Sequence, residues 1–413
     1  APSRRSSVTK VFATVTSSSS HARMKHYIYS ILLCIIGATL TCCNSSTEEF
    51  YADIEQDRDN DEITSDDYEY QIPVIFHVLY QDSQDKKQYV DYTRIKELVA
   101  HVNELYQGNV YTYQEYDNSE NIQIRFVLAE KNEQNQTLAQ PGVEYIKWTG
   151  TYPIDCEKFM GDNSRRYTKY VWDPNEYINV MVYPFEQTKD ESSITLGISV
   201  MPYQGAGYPQ IEGLNNTKRT KLSKSNLKYA HCLCINSKYI YFESNRYKGI
   251  TSESENTENL IYDANATLAH ELGHYLGLHH VFAEKDNKPI ESYADTDYCT
   301  DTKSYNRPAY NTWLSQYIEN KRQEAESAGK DVIVLLSDMI SRQNDTGDTW
   351  SSINLMDYSM SLNYQFTAQQ RERIRQVLYY SPLIPGPKKE RPNTRSTETA
   401  TDEPLDLPVI IVK

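Results

Sequence analysis

Apolar residues follow two different spacings along this chain, and each spacing predicts a different element. IPVIFHVLY (72–80) is apolar at almost every position and β-branched at several, which predicts a strand buried on both faces. His77 within it reads as a core histidine. YTRIKELVAHVNELY (92–106) instead places Ile95, Leu98, Val99, Val102 and Leu105 three and four apart, the pattern of an amphipathic helix. IQIRFVLAE (122–130) and YINVMVYPF (177–185) predict two further strands, the second reached through the turn residues Asp173 and Pro174. ITLGISVMPY (194–203), closed by Pro202, and CLCINSKYIYF (232–242) predict another pair. Helical spacing returns in DANATLAHELGHYLG (263–277), with Asp263 or Asn265 as its N-cap. A last helix, RERIRQVLYY (371–380), follows a capping box formed by Thr367 and Gln370. This order points to an α+β fold, a mixed sheet with helices packed on it.

Outside residues 71–384 the patterning fails. MKHYIYSILLCIIGATLTCCNSS, from Met24, has a positive start and an apolar run from Ile28 to Leu40. That run is too short to span a bilayer and reads as an export signal. Its end, Leu40-Thr41-Cys42-Cys43, resembles a bacterial lipobox, with Cys43 or Cys42 as the acylated residue. A leader and lipoprotein signal over 1–43 would place the protein outside the cytoplasm, lipid-anchored at the outer membrane or cell surface of a Gram-negative bacterium. Residues 44–70 hold eleven acids against Arg58 alone, too much like charge to collapse on itself. They read as an acidic tether or as a pro-segment. The C-terminal stretch 385–413, which opens with PGPKKERPNTRSTETATDEP, reads as a disordered tail.

With 39% hydrophobic residues in 413, the chain can bury a sizeable core. The net charge of -15 is concentrated in the tether and so says little about a substrate. No basic stripe of the kind that grips phosphate backbones is present, which argues against a nucleic-acid partner.

The candidate chemistry lies in HELGHYLGLHH (270–280), which gathers four of the chain's nine histidines. Residues four apart on a helix lie one above the other, so His270 and His274 would present two ring nitrogens to one point. Glu271, on the adjoining flank, could reach a water held there. His280 would be turned away by a continuing helix, but Gly277 can take the left-handed conformation that ends a helix and swings the chain back. Three protein ligands with one corner left for water is the arrangement of a catalytic zinc. His279, one residue short of that return, reads as a supporting or surface residue.

HExxHxxGxxH resembles the signature of the metzincin metallopeptidases, and INLMDYS (353–359) resembles the methionine turn that accompanies it. Within that group the likeness is to the pappalysins, through IPVIFHVLY, WDPNEYINVMVY, HELGHYLGLHHVF, NLMDYS and FTAQQRERIRQVL. The resemblance implies a mixed five-stranded sheet with an active-site helix, an upper subdomain over 71–280, and a smaller, mostly irregular or helical lower subdomain over 281–384. It also implies that Met356 floors the metal site and that Tyr358 lies beside the metal. Two departures stand out: no cysteine follows Cys299, and the lower part contains a helical-looking stretch, RPAYNTWLSQYIENKRQEAESAG (307–329).

The expected activity is that of a zinc endopeptidase acting on proteins or peptides, with Glu271 as general base and Tyr358 donating to the oxyanion. The edge of ITLGISVMPY would receive an extended substrate. Two alternatives are a surface-anchored adhesion protein that retains a zinc site and a zinc hydrolase of non-peptide amides or esters. Asp295, Asp297 and Asp301 form an acidic loop that could bind calcium or simply be solvated. Export makes a disulfide among Cys156, Cys232, Cys234 and Cys299 an expectation. Cys232 and Cys234, two apart on one strand, would be poor partners for each other.

Overall fold

A computed structural model describes residues 51–52, 67–110, 118–187, 194–219, 221–248, 257–358, 360–389, 403–405 and 409–413. The export signal and most of the acidic segment lie outside these residues. Among the described residues no helix is long and apolar enough to cross a membrane.

One sheet organises the upper part. Its strands are β1 (Tyr70–Tyr80), β2 (Ile124–Ala129), β3 (Val143–Lys147), β4 (Ile178–Tyr183), β5 (Gly197–Val200), β6 (Leu233–Asn236) and β7 (Ile411–Val412). A two-residue strand, Tyr51–Ala52, lies parallel to β2 at the far edge. The strand order is Tyr51–Ala52, β2, β1, β4, β6, β5, β7, with β3 also on β1. Eight strands therefore replace the five expected, because short additions extend both edges.

β1 is long enough to serve three partners. Its first half pairs with β2, its second half with β3, and Val74–Val78 with β4 on the opposite side, all in parallel. β4 and β6 continue the parallel set, whereas β5 runs antiparallel to β6. All six residues of β4 are buried, as the unbroken apolar run INVMVY requires. Asn179 is the one polar side chain in β4, and it is satisfied by the main chain of Trp172 and by His77 Nε2 at 2.9 Å. His77 Nδ1 pairs with Glu144 at 2.8 Å, so this histidine is a fully partnered core residue, as expected.

Two helices cover one face of the sheet. α1 (Tyr92–Tyr106) buries Ile95, Leu98, Val99, Val102 and Leu105, the stripe its spacing predicts. α2 (Cys156–Gly161) is a short helix near β5, and α3 (Ala264–Tyr275) carries the histidine motif. Tyr106 Oη donates to the Ala269 carbonyl at 3.1 Å, tying α1 to the middle of α3. Asp263 rather than Asn265 caps α3, accepting from the N–H groups of Asn265 and Ala266.

The lower part contains α4 (Arg307–Ala328), begun by Asn306 with Pro308 in its first turn and ended by Gly329 at φ 62°. It is the helix suggested by the 307–329 stretch. α5 (Ala368–Tyr380) follows the Thr367–Gln370 capping box, also as expected.

Two expectations need correction. The four cysteines of the folded part are all free thiols and all buried, so the anticipated disulfide is not formed. The tail reads as disordered throughout, yet Ile411–Val412 pairs antiparallel with β5, Ile411 opposite Val200 and Val412 opposite Ser199. VIIVK is β-branched at four of its five positions, a local strand signal in a tail that is otherwise polar and rich in proline.

Candidate metal centre and substrate cleft

α3 is held at both ends, by the Asp263 cap at its start and by the turn that follows Tyr275. At its C-terminus Gly277 adopts φ 93°, its N–H bonds to His274 O, and Leu278 N–H reaches back to Gly273 O. This pair of bonds is a Schellman closure, and it turns the chain so that His280 returns towards the helix. His274 Nε2 lies 3.0 Å from His270 Nε2 and 3.1 Å from His280 Nε2. Among the described residues these three form the only group of three or more histidine, cysteine or acidic side chains whose donor atoms converge in this way.

Each ring is held by its other nitrogen. Nδ1 of His270 meets Leu355 O at 2.8 Å, Nδ1 of His274 meets Leu278 O at 2.8 Å, and Nδ1 of His280 meets Glu284 Oε2 at 2.8 Å. A carbonyl or carboxylate oxygen only accepts, so every Nδ1 must carry the hydrogen and each neutral ring turns a bare lone pair inward. Three lone pairs about 3 Å apart repel one another unless a cation lies between them. A proton is poorly suited to that place, since burial, with His280 adding to it, pushes His270 down to about 3 and His274 well below the usual histidine range. A divalent metal held at about 2 Å from each nitrogen fits the donor set.

Glu271 projects beside this cluster. It is buried, its Oε2 has no hydrogen-bond partner, and burial pushes its carboxyl well above the usual range. The carboxylate lies flat against Gly197 of β5, where a Cβ would meet Glu271 Oε1 at 2.5 Å. The glycine therefore makes room for the acid.

The methionine turn lies under the helix. A Cβ on Gly273 would approach Met356 Sδ to 2.5 Å, and Met356 is fully buried there. Asp357 anchors the turn: it pairs with Arg342 at 3.1 Å and accepts from Tyr305 Oη at 2.6 Å. Burial would raise this carboxyl, but Arg342 and Arg307 hold it below its ordinary value. The Tyr358 ring stands 4.5 Å from that of His280 and 6.2 Å from that of His270, and its hydroxyl donates to the Lys413 carbonyl.

His279 does not join the cluster. It turns to Glu284 Oε1 at 3.3 Å and to the Tyr298 ring, a supporting position as expected. Glu284 was missed from the sequence. It holds both His279 and His280, and although burial alone would raise its carboxyl, these two bring it down to about 2. Its place four residues after His280 was the available signal.

The acidic loop gives no convergent site. Asp301 accepts from Thr367 Oγ1 and Gln369 N–H at the start of α5, while Asp297 accepts from Cys299 N–H and Thr302 Oγ1. These carboxylates thus serve helix capping and loop closure, and the calcium expectation finds no geometric support.

Residues 246–379 match the peptidase family model described as "Pregnancy-associated plasma protein-A", a stretch that contains all three histidines, Glu271 and the methionine turn. That match covers less than half of the chain, and within it the convergent histidines, Glu271 and the methionine turn make the chain similar to the metzincin metallopeptidases. Solved structures similar to this chain include Tannerella forsythia mature mirolysin in complex with a cleaved peptide, at 19% identity over 74% of this chain and 90% of that one, TM-score 0.44. A Tannerella forsythia promirolysin mutant shares 18% identity over 75% of this chain and 81% of that one, TM-score 0.46. Mirolysin in complex with compound 9 shares 20% identity over 75% and 91%, TM-score 0.45. No curated protein matches this chain.

Proposed function

We propose that this protein is a zinc-dependent endopeptidase that cleaves internal peptide bonds of proteins outside the cytoplasm. The observation that carries the reading is the trio of inward lone pairs on His270, His274 and His280 beside an unpartnered, buried Glu271. These three histidines would hold the metal. A zinc bound there supplies a water of lowered pKa and polarises a substrate carbonyl.

The chain's own groups do the rest. Glu271, whose carboxyl binds a proton readily because it is buried, accepts one from the attacking water and returns it to the departing amine. Tyr358 donates a hydrogen bond to the carbonyl oxygen as negative charge develops on it. Glu284 fixes the His280 ring, and Met356 supports the helix from below. The edge of β5 receives the substrate main chain in an extended form.

The envelope location rests on the export signal and on acylation at Cys43 or Cys42, which would tether the enzyme through the acidic segment 44–70. The same segment could instead act as a pro-segment. Mass measurement of the N-terminal peptide after expression in a Gram-negative host separates these, since an acyl chain adds a defined mass to one cysteine.

Purified protein is expected to hold about one zinc per chain and to cleave denatured casein until a chelator is added. Glu271→Ala should keep the metal and lose proteolysis. Full activity in that variant would remove Glu271 from the mechanism.

A further inference from the structure

The outer edge of β5 is not free. Val409–Lys413 runs along it, with Ile411–Val412 paired antiparallel to β5 as an added strand, the mode by which an extended peptide could use the same edge. Met201 N–H donates to Ile410 O at 2.9 Å, Asn287 Nδ2 donates to Ile411 O at 3.3 Å, and Tyr358 Oη donates to Lys413 O. Side chains are engaged as well as the main chain. Val412 is 1% exposed, Ile411 lies near Gly161 of α2, and the Lys413 ammonium pairs with Glu157. A second anchor lies just upstream, where Leu405 N–H donates to Asn226 O at 2.7 Å and Leu405 packs with Tyr203, Leu222 and Leu227.

Resting on the peptidase reading above, we propose that Val409–Lys413 is a built-in substrate mimic that occupies the β5 edge beside the candidate metal centre and competes with peptide substrates. Three contacts carry this together. β5 is the strand that packs Gly197 against Glu271, and the pairing of Val412 with Ser199 brings the segment to within two residues of that glycine. Tyr358, assigned above to the reacting carbonyl, is already bonded to the carbonyl of Lys413. The Leu405 anchor restrains the segment close to its seat, which gives it a high effective concentration, in the millimolar range for about this length of linker.

The occupant also describes the substrate class. An extended segment with branched aliphatic residues leading to a basic one fits these contacts, with the basic side chain beside Glu157. A substrate must displace the segment to bind, so full-length enzyme turns over slowly at low substrate concentration.

Two measurements on the full chain test this. Hydrogen exchange should show slow amides at residue 412 and at Ser199 and Met201 in the unaltered protein, and fast exchange at all three in Val412→Asp, which places a carboxylate against the sheet. For a fluorogenic peptide, Val412→Asp should raise kcat/KM about tenfold or more, mainly through KM, as expected for losing a tethered competitor. Free Pro-Val-Ile-Ile-Val-Lys should then inhibit that variant competitively. Exchange at residue 412 as fast as in a free peptide would overturn the seat itself. Protection with unchanged kcat/KM in Val412→Asp would overturn the competition. If neither protein cleaves any peptide while protection is present, the catalytic reading fails and the seat stands.

Discussion

Two side chains beyond the histidine motif decide whether the centre can work. Glu284 grips Nδ1 of His280, and removing such a partner of a metal-binding imidazole lowers metal affinity about 10–100-fold. Glu284→Ala is therefore expected to release zinc at lower chelator concentration than the parent protein, as read by competition with a metal-sensitive dye. Gly197→Ala acts on the base instead, because its Cβ would fall 2.5 Å from Glu271 Oε1. Proteolysis should drop by more than tenfold, about 1.4 kcal/mol of barrier, with zinc content unchanged. The three histidines and Glu271 were legible in the sequence because their spacing is a local consequence of helix geometry and one glycine turn. Glu284 and Gly197 were not recognised, since neither forms part of a repeated pattern. Gly197 acquires its role only when a strand over 60 residues away in sequence is laid beside α3.

At the scale of elements, the turn after α3 delivers His280, the third of the proposed metal ligands. Gly277 has φ 93°, and an added Cβ would meet Val377 Cγ2 of α5 at 2.7 Å. Gly277→Ala is expected to cost about 1–3 kcal/mol of stability from backbone strain alone, visible as a lower thermal midpoint. Its metal affinity should fall as well, because His280 loses its approach. The helices and the parallel strands followed their apolar spacing closely, as α1 and β4 illustrate. What spacing did not predict was pairing. Val143–Lys147, only partly buried, and Ile411–Val412, inside a polar tail, are strands because an edge of the sheet was free to accept them.

Across the whole molecule, acid should be more damaging than base. His231, remote from the metal ligands and packed between Tyr203 and Tyr275, is pushed down to about 4 by burial. An unfolded chain would bind that proton near pH 6.5. The folded value is the lower one, so the contribution is complete above about pH 6.5 and is lost as pH falls towards 4, up to about 3 kcal/mol. Urea titrations across this window should show falling stability, and His231→Phe should flatten the slope by about one proton. An unchanged slope would mean that the ring is protonated in the fold. The overall α+β plan was legible in the order of strands and helices, whereas the burial of all four thiols depended on contacts that no local window contains.

Arg373 of α5 donates from Nε to Gly277 O at 2.6 Å and from Nη2 to Glu212 O at 2.6 Å, while Asp301 steadies the first turn of the same helix. The helix nearest the end of the folded body thus braces the bend that delivers His280. A fragment stopped before Ala368 would retain every letter of the histidine motif and yet leave that bend unsupported. A fragment meant to keep the proposed metal centre should therefore reach through Tyr380, far beyond His280, the last of the three converging histidines.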